Sequence, residues 1–151
     1  EAHKKYYLNN EEVRNEYTKK YSQSAKGKET INKGRRKRIK SDPIFKLAKN
    51  VRTRLGMFIK TRNIRKTNKT FVMVGCTPEF LKKHLEKQFY NRKITNEPMT
   101  WKNHSLRGWH VDHIKSIDKA KTSEDLEKLS HYTNLQPLWS EDNWEKSNKI
   151  I

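Results

Sequence analysis

Residues 1–70 of this 151-residue chain hold 22 Lys and Arg against six Asp and Glu, and none of the four tryptophans. A segment with so much unbalanced positive charge and so few large apolar side chains cannot close around a sizeable core by itself. Residues 71–151 are different: 13 Lys and Arg face 11 Asp and Glu, and Trp101, Trp109, Trp139 and Trp144 all lie there. The expected organisation is a basic, helical nucleic-acid-binding arm and linker over 1–70 and a compact α+β domain over 71–151. Hydrophobic residues make up only 32% of the chain, which excludes one large core running through all of it. Charge placed so unevenly points to a nucleic-acid-gripping arm joined to a working domain.

Other classes drop out. No apolar run approaches the length of a membrane-spanning helix, and no signal-peptide pattern is present. The single cysteine, Cys76, excludes internal disulfides and a four-cysteine zinc site, and fits a reducing compartment.

Along the arm, Val13, Tyr17 and Tyr21 form a narrow helical stripe, and residues 22–29 read as a flexible break. Residues 34–40 (GRRKRIK) are a dense basic cluster. Asp42 followed by Pro43 signals a helix start. The stripe Ile44, Leu47, Ala48, Val51, Leu55, Phe58 and Ile59 then predicts an amphipathic helix with a basic outer surface. Residues 61–70 read as a basic linker. The residues expected to touch DNA are Arg35, Arg36, Lys37, Arg38, Lys40, Arg52, Arg54, Arg62, Arg65 and Lys66. Further on, Thr77-Pro78-Glu79 starts a second helix through Phe80, Leu81, Leu85 and Phe89. Met99–Trp101 and Trp109–Ile114 are strand candidates. Ser123 is expected to cap a helix through Leu126 and Leu129. Residues 133–139 (TNLQPLW) are expected to form an edge strand because of Pro137. Ser140 is expected to cap a last helix.

Chemistry concentrates in GWHVDHIKS, residues 108–116. Trp109, Val111 and Ile114 suit a strand, whereas Asp112 and His113 are costly to bury unpaired. Asp112-His113 closes one strand, Asn134 opens the next, and Asn143 falls in the first turn of the final helix. A hairpin backed by that helix can bring Asp112 and Asn143 together. A carboxylate and an amide oxygen are hard donors that favour Mg²⁺ or Mn²⁺. His113 beside them has the ordinary pKa range for a general base at neutral pH. Asn134 is read as bracing the loop and aiming His113.

The runs WHVDHI, HYTNLQPLW and SEDNWEKSNK resemble the HNH endonuclease family, over about residues 100–150. The preceding VGCTPEFLKKHLEKQF and MTW are similar to versions carried by phage and intron-borne homing endonucleases. The resemblance implies a β-hairpin and helix around one metal ion, and metal-dependent phosphodiester cleavage that leaves 5′-phosphate and 3′-hydroxyl ends. It assigns Asp112 and Asn143 as metal ligands, His113 as general base and Asn134 as the middle signature residue. Paired cysteines for a structural zinc are missing, and Ser147 stands where some members carry a third ligand. The expectation is therefore Mg²⁺ or Mn²⁺ on two protein ligands, without zinc. Double-stranded DNA is the expected partner, a monomer is favoured, and the expected setting is the cytoplasm of a bacterial or phage-infected cell.

Blander roles stay beside these. His110 shares a strand face with Asp112 and suits either a contact near the metal or DNA, or packing. Lys146 is within reach of a phosphate, though a solvated lysine is the ordinary outcome. His84 and His131 read as structural, and the tryptophans as core. A non-catalytic nucleic-acid-binding protein that keeps the HNH fold, and an RNA-cutting or restriction-type nuclease of the same fold, remain as alternatives.

Overall fold

The computed structural model describes residues 10–147. They form an α+β chain that divides into two compact units, one ending at Asp42 and the other beginning at Pro43.

The described residues of the first unit form two helices, α1 (Glu11–Gln23) and α2 (Ala25–Ser41). The flexible break expected over 22–29 is a single residue wide. Ser24 ends α1 and caps α2, its Oγ accepting from the Gly27 N–H at 3.0 Å and donating to the Tyr21 carbonyl at 2.7 Å. Gly27 is required by closeness, because a Cβ there would lie 1.8 Å from the Tyr21 carbonyl oxygen. The expected stripe on α1 buries nothing: Val13 and Tyr17 are 68% and 69% exposed. Neither helix has the apolar content to build a core, in keeping with the charge argument.

The second unit starts earlier than residue 71. Helix α3 (Pro43–Arg62) buries Leu47, Ala48, Leu55 and Phe58. These are positions of the expected amphipathic stripe, but their partners lie in the domain and not in the arm. Leu55 and Phe58 pack with Met73, Ile117, Ala120 and Leu126. Leu47 packs with Val74, Leu81, Leu85 and Leu135. The helix ends at Asn63, whose φ is +51°. The unit beginning at Pro43 is also not near-neutral, since residues 43–70 add nine Lys and Arg and no acid.

Helix α4 (Thr70–Val74) follows, stopped by Gly75 at φ +73°. A side chain at 75 would meet both left-handed strain and the His131 ring, 2.4 Å from its Cβ. Helix α5 (Pro78–Glu86) is capped by Thr77, whose hydroxyl accepts from the Phe80 N–H at 3.2 Å. Met99–Trp101 is not a strand. A short turn of 3₁₀ helix, Trp101–Asn103, is anchored there by Asn103 Oδ1 accepting from the Thr100 N–H at 2.8 Å.

Strands β1 (Trp109–His113) and β2 (Leu135–Trp139) pair antiparallel, with Trp109 opposite Trp139, Val111 opposite Pro137 and His113 opposite Leu135. With only two strands, both are edges, and Pro137 is tolerated. Between them, α6 (Ser123–Ser130) is capped by Thr122, one residue before the expected Ser123; Thr122 and Asp125 cap each other reciprocally. Helix α7 (Ser140–Lys146) starts one residue after Trp139 and leans on both strands. Trp109 and Trp139 are fully buried against Met99, but Trp144 is 87% exposed and belongs to no core. Among the described residues, no helix is long and apolar enough to cross a membrane.

Candidate metal and phosphodiester site

Alternation along β1 puts His110 and Asp112 on one face. Helix α7 covers that face, and residues one turn apart on it, Asn143 and Lys146, meet the strand residues in order. Asn143 Nδ2 lies 3.3 Å from His110 Nδ1. Lys146 Nζ lies 2.8 Å from Asp112 Oδ2 and donates to the His113 carbonyl at 2.7 Å. Asp112 and Asn143 are thus on facing elements, each one residue pair away from the other's partner.

The hydrogen bonds around His110 orient the amide. His110 Nε2 is 3.0 Å from the Leu106 carbonyl, which can only accept, so Nε2 carries the proton. In the neutral ring Nδ1 is then an acceptor, and it is the Asn143 amide nitrogen that faces it. This leaves the Asn143 Oδ1 as the group available to a cation.

Asp112 is 6% exposed. A carboxylate that deep needs compensating charge, and two cations provide it. Lys146 is the nearer. Arg54 NH2, from α3, stands 3.7 Å from Oδ1, while its NH1 donates to the Val111 carbonyl at 2.6 Å. Lys146 is itself only 2% exposed, so the residue read as a contact near the metal or a phosphate, or else as an ordinary solvated lysine, is among the most buried side chains of the domain. Sequence offered one signal for this: Lys146 follows Asn143 by a helical turn and therefore shares its strand-facing side.

His113 lies on the opposite side of the strand from Asp112 and is half-buried. Burial first, then the charges of Arg54 and Lys146, push its pKa down to about 4, with Asp112 pulling the other way. It is neutral at neutral pH and able to accept a proton. Its Nδ1 and the Ser130 Oγ are both buried, and both residues line a small cavity of about 30 Å³ with Val51, Leu55 and Leu135, room enough for one water.

Asn134 hydrogen-bonds through its side chain to Lys115 and Leu129 and not to His113. Its side chain grips the turn that follows: Oδ1 accepts from the Lys115 N–H at 2.8 Å, and Nδ2 donates to the carbonyls of Lys115 (3.0 Å) and Leu129 (2.7 Å). Its own carbonyl accepts from the Ile114 N–H at 2.8 Å.

Beside His110, between α3 and the loop before β1, runs a groove of about 470 Å³ rimmed by Lys46, Arg54, Met57 and Leu106. The basic residues divide by environment. Arg35, Arg36, Lys37, Arg38 and Lys40 are exposed on α2, with Arg38 paired to Asp42 at 3.3 Å. Several of the rest are engaged within the domain. Arg52 lies over the Phe71 ring, Arg62 is 3.5 Å from Asp118, and Lys66 donates to the Thr70 hydroxyl at 3.0 Å. Arg65 is exposed. His84 contacts Gln88 and stands edge-on to Tyr132, and His131 contacts Thr133.

Among the described residues no three His, Cys, Asp or Glu side chains gather as a metal-ligand set. Of the expected pair of donors, Asp112 is contacted by Lys146 and Arg54, and Asn143 by His110. These donors fit a divalent ion chemically. One is a buried anion that already requires a cation beside it, and the other is an amide oxygen left available by the His110 tautomer. Compared with family models, curated proteins and solved structures, the chain matches none.

Proposed function

We propose that the chain is a metal-dependent DNA endonuclease of the HNH type. The observation that carries this reading is the arrangement of β1 and α7: a buried carboxylate (Asp112) and an amide (Asn143) on facing elements, with a neutral imidazole (His113) next in the chain.

Asp112 and Asn143 are the residues that would hold Mg²⁺ or Mn²⁺. A bound divalent ion polarises a phosphodiester and stabilises the charge that develops on the leaving oxygen. His113 is the residue assigned to take the proton from the attacking water, and because its ring lies on the other side of the strand from Asp112 with Nδ1 buried, it must turn towards the Asp112 side to do so. The P–O bond to that water forms as the bond to the 3′ oxygen breaks. A base with its pKa near 4 is always unprotonated at neutral pH, and so always ready, at the cost of weaker basicity. Asn134 holds the backbone just beyond His113. Arg54, half exposed at the rim of the groove, offers a charge to the phosphate backbone. Duplex DNA is the substrate class that the charge of the chain fits best, through phosphate contacts that need no sequence reading.

One observation favours a second reading. Asp112 is already neutralised by Lys146 and Arg54, as a protein that binds nucleic acid without cutting it would require. A supercoiled-plasmid assay separates the two. Cleavage with Mg²⁺ or Mn²⁺ is expected, abolished by a chelator and lowered by about 10² to 10⁴-fold in His113→Ala with DNA affinity kept. Binding without any cleavage under all metal conditions would leave the non-catalytic reading standing. An RNA substrate run alongside tests the RNA-cutting alternative.

A further inference from the structure

We propose that Lys146 is the resident counter-ion of Asp112 and competes with the divalent cation for it. The inference rests on the metal reading above and adds the exchange that must precede metal binding. The Lys146 ammonium donates to the His113 carbonyl at 2.7 Å and forms an ion pair with Asp112 Oδ2 at 2.8 Å, although that oxygen accepts no hydrogen bond, and the side chain is 2% exposed. Arg54 is the weaker neutraliser. It stands 3.7 Å from the other carboxylate oxygen, is half exposed, and has a nitrogen committed to the Val111 carbonyl.

The competition follows from geometry. Asn143 and Lys146 sit one turn apart on α7, above His110 and Asp112, which alternate on β1. The ammonium therefore occupies the α7 side of the carboxylate, the side on which an ion shared with Asn143 must lie. Two cations cannot both be in contact with one oxygen in a water-poor site without strong mutual repulsion. A lysine stem has four rotatable carbons, so the ammonium can withdraw when a divalent ion arrives, and it returns to Asp112 when the ion leaves. The domain thereby folds around a neutralised Asp112 with no metal present.

Mn²⁺ binding to the full chain, followed by titration calorimetry and by electron paramagnetic resonance, tests this without relying on cleavage. Lys146→Met should bind Mn²⁺ at least tenfold more tightly than the unaltered chain. Lys146→Arg, which keeps a cation there, should not gain. Asp112→Asn combined with Lys146→Met should lose the site. Mn²⁺ should also raise the melting temperature of Lys146→Met by more than it raises that of the unaltered chain. If Lys146→Met does not fold without metal, refolding in Mn²⁺ becomes the readout; recovery supports the competition and continued failure overturns it. Equal Mn²⁺ affinity in the two chains, still dependent on Asp112, would end the competition and leave the metal reading intact. No Asp112-dependent Mn²⁺ binding in either chain would end both.

Discussion

The Asn134 side chain takes both backbone groups of Lys115, accepting from its N–H at 2.8 Å and donating to its carbonyl at 3.0 Å. A third bond, to the Leu129 carbonyl at 2.7 Å, ties the same amide to the end of α6. One side chain therefore fixes the turn that begins two residues after His113. Asn134→Ala should lower stability by about 1–3 kcal/mol, the usual cost of leaving partly buried backbone groups unpaired. If the proposed chemistry holds, turnover should fall more than DNA affinity, because the loss is of aim and not of charge. Urea unfolding and single-turnover cleavage measure the two effects. Asn134→Asp keeps the acceptor but sets a carboxylate against two carbonyls, and should be worse than alanine in the unfolding measurement.

Helix α3 should be indispensable to the second unit. A fragment of residues 43–151 should unfold cooperatively in urea, whereas residues 71–151 should show no cooperative transition. Leu47 and Leu55 are 0% and 5% exposed and sit in the two main apolar clusters of that unit. Removing either by Leu→Ala costs on the order of 2–5 kcal/mol in well-packed cores, and the shorter fragment lacks both. A cooperative 71–151 fragment would restore the boundary suggested by charge.

The distance between the charge boundary near Thr70 and the division at Pro43 shows what sequence could and could not carry. The amphipathic stripe of α3 was legible because its period is local, but which partner covers the stripe is a tertiary fact. Charge density pointed to the arm, although the basic residues of α3 lie on the outer face of a helix whose inner face is core. The hairpin was legible from Trp109, Val111 and the run ending at Trp139, while Met99–Trp101 looked like strand only because short apolar runs do not distinguish a strand from a turn packed on tryptophans. At the site, order and spacing picked out Asp112, His113, Asn134 and Asn143. The burial of Lys146 was not legible, since a lysine on the strand-facing side of a helix is ordinarily at the edge of the packing and its ion pair is visible only when β1 is in place.

His104 should make the domain acid-sensitive. It is 4% exposed and stacked on Trp109 at 4.3 Å between ring centres. Burial, then the charge of Lys46, then His110, push its pKa down to about 4, against about 6.5 when unfolded. Between these values the unfolded chain binds more protons than the folded one, so stability rises with pH. The contribution is whole above about 6.5 and is lost as pH falls towards 4; it is of order 3 kcal/mol for a shift of this size. His104→Phe removes the titrating ring but keeps an aromatic face for Trp109. Its stability should fall less between pH 7 and pH 4.5 than that of the unaltered chain. The decline that remains includes His113, which is shifted in the same direction. An unchanged decline in His104→Phe would assign the acid sensitivity elsewhere.

The basic cluster on α2 should act through one helical face. At 100° per residue, Lys33, Arg36, Lys37 and Lys40 fall within one quadrant or slightly more, whereas Arg35 and Arg38 point the other way, and Arg38 is already paired with Asp42. A straight helix laid along a duplex can present only one such face to the phosphates. Replacing Lys33, Arg36, Lys37 and Lys40 by Gln should therefore reduce the slope of log affinity against log salt by about 2–4, near 0.9 for each phosphate no longer neutralised. Replacing Arg35 and Arg38 should change it by less than about 1. Fluorescence anisotropy with a labelled duplex across a salt series reads the slopes directly. An equal reduction of slope per charge for the two sets would mean that α2 acts as diffuse charge, with no docked face.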